Sequence, residues 1–126
     1  MKILIVDDEE RIRSIFRKLM KREGFDVIEA ANSGDAYELV LTNPVDLILL
    51  DINMMEVDGT VLFEVVQLFC KKAKVIVTSV YPLEDQKRLI KGAEDYYDKS
   101  DSLQILLRKV KQVMGNKLNS IHPASA

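Results

Sequence analysis

Apolar and polar positions change period in a regular order along the chain. Ile3 to Val6 is an unbroken apolar run, the pattern of a strand covered on both faces. Ile12, Ile15, Phe16, Leu19 and Met20 then recur at helical spacing until Gly24, which predicts an amphipathic helix with a glycine stop. Val27 and Ile28 predict a second, short strand. Ser33 is placed to cap a helix carrying Ala36, Leu39 and Val40, which Asn43-Pro44 ends. The run "VDLILL" over 45–50 predicts a third strand, and Leu62, Val65, Val66 and Phe69 a third helix. The β-branched "KVIVTS" over 74–79 predicts a fourth strand. A short helix is expected at 86–91 after Pro82, and a fifth strand in "EDYY" after Gly92. A last helix should place Leu103, Leu106, Leu107, Val110 and Val113 on one face and stop at Gly115.

Five strand-then-helix units with apolar central strands predict an α/β fold, a three-layer (βα)5 doubly wound parallel sheet with helices on both faces. Residues 1–115 make one domain. Residues 116–126 are polar, aperiodic and contain Pro123, and are expected to be an unstructured tail or a shortened linker.

Composition narrows the function classes. A chain of 126 residues is one domain's worth and needs no disulfide or structural metal to bury a core. No apolar run is long enough to span a bilayer and no signal-peptide layout is present, so a cytoplasmic protein without a membrane partner is expected. The net charge of −2 mixes both signs along the chain, which leaves no footprint for direct nucleic-acid binding. Cys70 is the only cysteine, excluding an internal disulfide and a cysteine-based zinc site; its apolar neighbours predict a packed thiol. The only histidine, His122, lies in the tail and is expected to be exposed, and no GxxxxGK[ST] loop occurs, so a serine-type triad and a nucleotide-binding P-loop are both excluded. Tyr37, Tyr81 and Tyr97 are assigned to packing or surface.

The first strand ends in Asp7, Asp8, Glu9 and Glu10. Like charges at contact distance repel by about 1 kcal/mol per pair even in bulk water, so this cluster requires a positive partner. In an open parallel sheet, ligands sit beyond the carboxyl ends of the strands. Those ends carry Asp7 and Asp8, then Asp51, then Thr78 and Ser79, then Lys99. Each aspartate alone reads as a turn former or helix cap. Together they make a hard-oxygen site with one lysine, suited to Mg2+, which prefers octahedral oxygen ligands.

These residues also carry a resemblance. "VDD" after the first strand, "LLDINMMEVDG" around Asp51, "VTS" at the fourth strand and "GAEDYYDKS" at the fifth form an ordered set, running from Met1 to Gly115, that is similar to the receiver domain of two-component response regulators. The resemblance implies a flavodoxin-like sheet of order 2-1-3-4-5. Asp51 would be the phosphoacceptor for a sensor histidine kinase or phosphotransfer protein. Asp8 and Asp51 would bind Mg2+ directly, joined by the backbone carbonyl of Asn53, with Asp7 acting mainly through water. Lys99 would pair with a phosphoryl oxygen, Thr78 would donate its hydroxyl to another, and Tyr96 occupies the aromatic switch position. Such a domain promotes only its own phosphorylation and dephosphorylation and is otherwise no enzyme. Its output would leave through the fourth helix, fifth strand and fifth helix, to a partner or to a second copy. The exposed residues expected on that face are Lys87, Arg88, Lys91, Asp95, Arg108 and Lys111.

Two positions depart from the family pattern. Met55 follows Met54 where proline is usual, which predicts a less rigid loop. Ser100 follows Lys99 where the family has a cis proline; a cis bond before a non-proline residue costs about 2.5–4 kcal/mol, so either it is retained at that cost or the loop is rebuilt. Two rivals share the architecture. A flavin-binding protein would meet repulsion between "DDEE" and the flavin phosphate, and a Mg2+-dependent phosphohydrolase usually carries a second acid where Asn53 stands. The sequence is compatible with a stand-alone receiver and with part of a longer regulator.

Overall fold

The computed structural model describes residues 1–53 and 59–121, with side chains over 1–53 and 61–115. Strands and helices alternate: β1 (Lys2–Val6), α1 (Glu10–Arg22), β2 (Asp26–Ala30), α2 (Ser33–Thr42), β3 (Leu47–Asp51), α3 (Gly59–Phe69), β4 (Lys74–Ser79), α4 (Leu83–Leu89), β5 (Asp95–Asp98) and α5 (Leu103–Ile121). The strands form one parallel sheet of order β2-β1-β3-β4-β5. All of β3 is buried, and so is β1 after Lys2, which explains why neither alternates in the sequence.

The period-2 alternation of strand side chains builds two cores. Ile3, Ile5, Leu47, Leu49, Ile76 and Tyr97 pack with Phe16 and Met20 of α1 and Leu106 and Val110 of α5. On the opposite face Leu4, Val6, Ile48, Leu50, Val77 and Tyr96 pack with Val40 of α2, Val66 of α3 and Ile90 just after α4. No helix among the described residues is long and apolar enough to cross a membrane.

Several boundaries differ from the sequence reading. Asn32, not Ser33, caps α2, its side chain accepting the Asp35 N–H at 2.8 Å; either residue type serves as a cap, and the neighbour won. α4 begins at Leu83 directly after Pro82 and is over by Ile90, with Gly92 at φ +93° in the turn that follows. β5 is shifted one residue, to Asp95–Asp98. α5 runs on through Gly115 to Ile121: an internal glycine costs only about 1 kcal/mol relative to alanine, and Met114, Leu118 and Ile121 keep helical spacing beyond it. The Lys99–Ser100 bond is trans, so the loop is rebuilt: the Asp98 carboxylate accepts both the N–H and the hydroxyl of Ser100, at 2.8 and 2.7 Å. Cys70 is half-buried. Met54, Met55, His122 and Pro123 lie outside the described residues.

Candidate functional site

Strand register assembles the site. Asp51, the last residue of β3, pairs with Thr78 in β4, which in turn pairs with Tyr97 in β5. Asp7 stands one residue past β1, its N–H bonded to the Ala30 carbonyl at 3.1 Å, and Lys99 one past β5, its N–H bonded to the Ser79 carbonyl at 2.8 Å. By strand alternation Asp7, Asp51, Thr78 and Lys99 share the parity of Ile5, Leu49, Ile76 and Tyr97, the positions facing α1 and α5. They therefore converge: the Lys99 ammonium lies 2.7 Å from Asp7 Oδ2 and 3.2 Å from Asp51 Oδ2. Asp7, Asp51 and Thr78 are almost fully buried and Asp8 is exposed. One carboxylate oxygen from each of Asp7, Asp8 and Asp51 lies within 4.8 Å of the others.

The supporting bonds are local. Asp7 Oδ1 accepts the Glu9 N–H at 2.9 Å, and Asp51 Oδ1 accepts the Asn53 N–H at 2.8 Å, so each loop folds back on the aspartate that starts it. Ser79, wholly buried, donates its hydroxyl to the Asn53 side-chain carbonyl and accepts the Tyr81 N–H. Sequence placed Ser79 at the strand end; its part in holding Asn53 was not visible there.

Burial, reinforced by the charge of Asp7, raises the Asp51 pKa above its usual value; the Lys99 ammonium and the Asn53 N–H pull the other way without winning. For Lys99, burial is the strongest single influence and lowers the pKa. The Asp7 hydrogen bond and the charges of Asp51 and Asp7 together outweigh it, so Lys99 is held above its usual value and stays cationic. Three carboxylates thus face one ammonium, an excess of two negative charges. An all-oxygen donor set short of one divalent charge fits Mg2+.

Tyr96 and Thr78, the pair named for switching, are both buried. The Tyr96 ring lies inside the core, its hydroxyl donating to the Ile90 carbonyl at 2.6 Å. Two further residues hold β5. The fully buried Gln86 of α4 donates to the carbonyls of Tyr81 and Tyr97, at 2.8 and 3.0 Å, and Lys109 of α5 donates to the Tyr96 carbonyl and lies 3.6 Å from Asp95. Neither was found from sequence. Of the expected output residues, Lys87, Arg88, Lys91 and Arg108 are exposed. Asp95 is half-buried against Lys109. Lys111 is exposed as well, but it points to the α1 side, reaching Glu23 at 2.8 Å, because it follows Val110, which packs into the α1-side core.

A parallel sheet of order 2-1-3-4-5, with an acidic cluster and a lysine at its carboxyl edge, defines a receiver-type domain. The chain belongs to the response regulator receiver domain family, whose family model matches residues 3–111. It is 38% identical over 126 aligned residues to an NtrX-like response regulator of Rickettsia bellii, covering 94% of this chain and 26% of that protein. Its fold matches a CheY-like receiver domain protein from Methanospirillum hungatei (TM-score 0.85, 29% identity, 94% of this chain and 97% of the other). It also matches the response regulator TrrA of Thermotoga maritima, solved in complex with Mg2+ and BeF (TM-score 0.79, 30% identity, 89% and 97%). The chain spans between 26% and 47% of the length of the curated relatives it matches.

Proposed function

We propose that Asp51 accepts a phosphoryl group from a sensor histidine kinase or a phosphotransfer protein, and that the modified domain passes the signal on through its surface. The observation that carries this reading is the triad of Asp51, Asp7 and Lys99 at 2.7 and 3.2 Å, beside the exposed carboxylate of Asp8. An Asp51 oxygen forms the new bond to phosphorus while the bond from phosphorus to the donor nitrogen breaks. Lys99, fixed and cationic, stands ready to follow the negative charge onto the phosphoryl oxygens, and Thr78 supplies a hydroxyl donor on the neighbouring strand. Asp7, Asp8 and Asp51, with the Asn53 carbonyl, would hold Mg2+, which when bound offsets the repulsion between the carboxylate and the incoming phosphoryl group. The similarity to the Thermotoga protein solved with Mg2+ and BeF supports this assignment.

The domain then acts on no substrate but itself, in the cytoplasm. It signals through α4, β5 and α5, where Lys87, Arg88, Lys91 and Arg108 offer a basic surface to an acidic partner or a second copy. Incubation with acetyl phosphate and Mg2+ should add one phosphoryl group by intact mass, and Asp51→Asn should add none. Undiminished labelling of that variant would overturn the assignment.

A further inference from the structure

Asp7 is held from several sides, though its Oδ2 has an ion-pair contact and no hydrogen bond. Its N–H meets the Ala30 carbonyl, Oδ1 the Glu9 N–H, Oδ2 the Lys99 ammonium, and its carbonyl oxygen accepts from Arg13 Nη1 at 2.7 Å. The last bond differs in consequence. The Asp7 carbonyl and the Asp8 nitrogen belong to one rigid peptide plane, so fixing that oxygen fixes the plane from which the Asp8 side chain projects.

Arg13 is itself held. Its Nε lies 3.4 Å from Glu29 Oε1, while the other carboxylate oxygen of Glu29 receives Arg17 Nη1 at 2.6 Å. Glu29 stands in β2 in register with Ile5, two residues before Asp7. The planar guanidinium of Arg13 is thereby gripped on one edge by the sheet and directs another at the Asp7 carbonyl, a fork that lysine cannot reproduce. Only 15% of its side chain is exposed.

We infer that Arg13 is a positioning residue for the cation site, setting the orientation of Asp8 through the Asp7–Asp8 peptide. The inference rests on the Mg2+ reading above. Two observations separate this role from plain stapling of α1 to β2. Arg17 already makes the shorter contact to Glu29, so that staple does not depend on Arg13. And Arg13 meets the site through the Asp7 backbone carbonyl and not through a carboxylate, so its bond acts on the peptide plane.

The test is Mg2+ affinity, by calorimetry and by the backbone amide NMR signals of Asp8 and Asn53, with melting temperature measured alongside. Arg13→Met should weaken Mg2+ binding about tenfold, the low end for partners that orient metal ligands. Arg13→Lys, which keeps the charge and loses the fork, should weaken it in the same direction and carries the test if the methionine variant does not fold. Arg17→Met should stay within about twofold of wild type while losing comparable thermal stability. Loss of positive charge alone predicts tighter Mg2+ binding. Equal or tighter binding by both Arg13 variants therefore overturns the inference while leaving the Mg2+ reading intact, whereas a wild-type protein that binds no Mg2+ overturns that reading first.

Discussion

Replacing Lys99 by methionine keeps most of the side-chain volume and removes the only ammonium that faces Asp7 and Asp51 among the described residues. Both carboxylates are within 2% of full burial, and Lys99 contacts them at 2.7 and 3.2 Å. Breaking a buried ion pair by removing one partner costs about 3–5 kcal/mol, a large part of the roughly 5–15 kcal/mol that holds such a domain folded. At about 4 °C per kcal/mol for a chain of this size, the lower bound is a fall in Tm of about 12 °C, read by circular dichroism in EDTA near neutral pH. Two dependences separate this cause from lost packing. Asp51 has a folded-state pKa raised by burial, so ionisation works against folding, and stability is lost as pH rises through the folded pKa. Without Lys99 the opposing pull on Asp51 disappears, so the deficit should be widest near neutrality and shrink as pH falls toward the ordinary carboxylate range. Lys99 is itself held above its usual value, so its contribution is whole below the ordinary lysine value of 10.5 and is lost only as pH climbs beyond it. Mg2+ at 100 times its dissociation constant should return about 2.7 kcal/mol. A variant that melts within about 2 °C of wild type, or whose deficit is the same in acid and with Mg2+, would refute the reasoning.

Asp7 is buried and already engaged by the Glu9 N–H and the Lys99 ammonium while Asp8 is exposed, so Asp8→Ala should weaken Mg2+ binding in a titration more than Asp7→Ala; the reverse order would exchange their roles. Val80, two residues past Thr78 and 63% exposed, has no group to hydrogen-bond a hydrolytic water, so the phosphorylated wild type should decay more slowly than Val80→Glu or Val80→Gln, and equal decay rates would leave Val80 without a part in dephosphorylation. Gln86→Leu leaves the Tyr81 and Tyr97 carbonyls without their shared donor, costing about 2 kcal/mol in a chemical denaturation curve; no loss would mean that the two bonds carry no net stability.

The order of the elements was legible because burial on both faces leaves unbroken apolar runs in β1 and β3, and one-sided burial leaves helical periodicity in α1. The site was legible for a related reason: a parallel sheet sets all its strand ends on one edge, so residues far apart in sequence can be placed together without knowing any side-chain angle. What sequence could not show depends on helix rotation and on long flexible side chains. Gln86 stands among Glu84, Asp85, Lys87 and Arg88 and, though the one uncharged residue of that run and so the least costly to bury, gives no sign in sequence of which carbonyls it meets. Lys109 and Lys111 differ by two positions, about 200° around a helix, so one clamps β5 and the other reaches α1. Arg13 was invisible in the same way, since its partner is a backbone carbonyl six residues back.

The bonds at β5 define what an output signal has to change. Lys99 follows directly on β5, and the strand is held on one side by β4 and on the other by side chains: Gln86 on the Tyr97 carbonyl, Lys109 on the Tyr96 carbonyl, and the Tyr96 hydroxyl on the carbonyl that ends α4. A ligand shifts a conformational equilibrium only through interactions that differ between the two states. In the proposed function the group whose partner changes most is Lys99, which exchanges Asp7 and Asp51 for phosphoryl oxygens. Any displacement of its backbone falls first on β5, and the bonds that must stretch or break are those to α4 and α5. The Gln86 side-chain carbonyl is buried without a hydrogen-bond partner, so the α4 latch begins with one polar group unsatisfied. On the α5 side Lys109 answers both the Tyr96 carbonyl and the Asp95 carboxylate. In the proposed function, the face that moves is then the one bearing Lys87, Arg88 and Lys91.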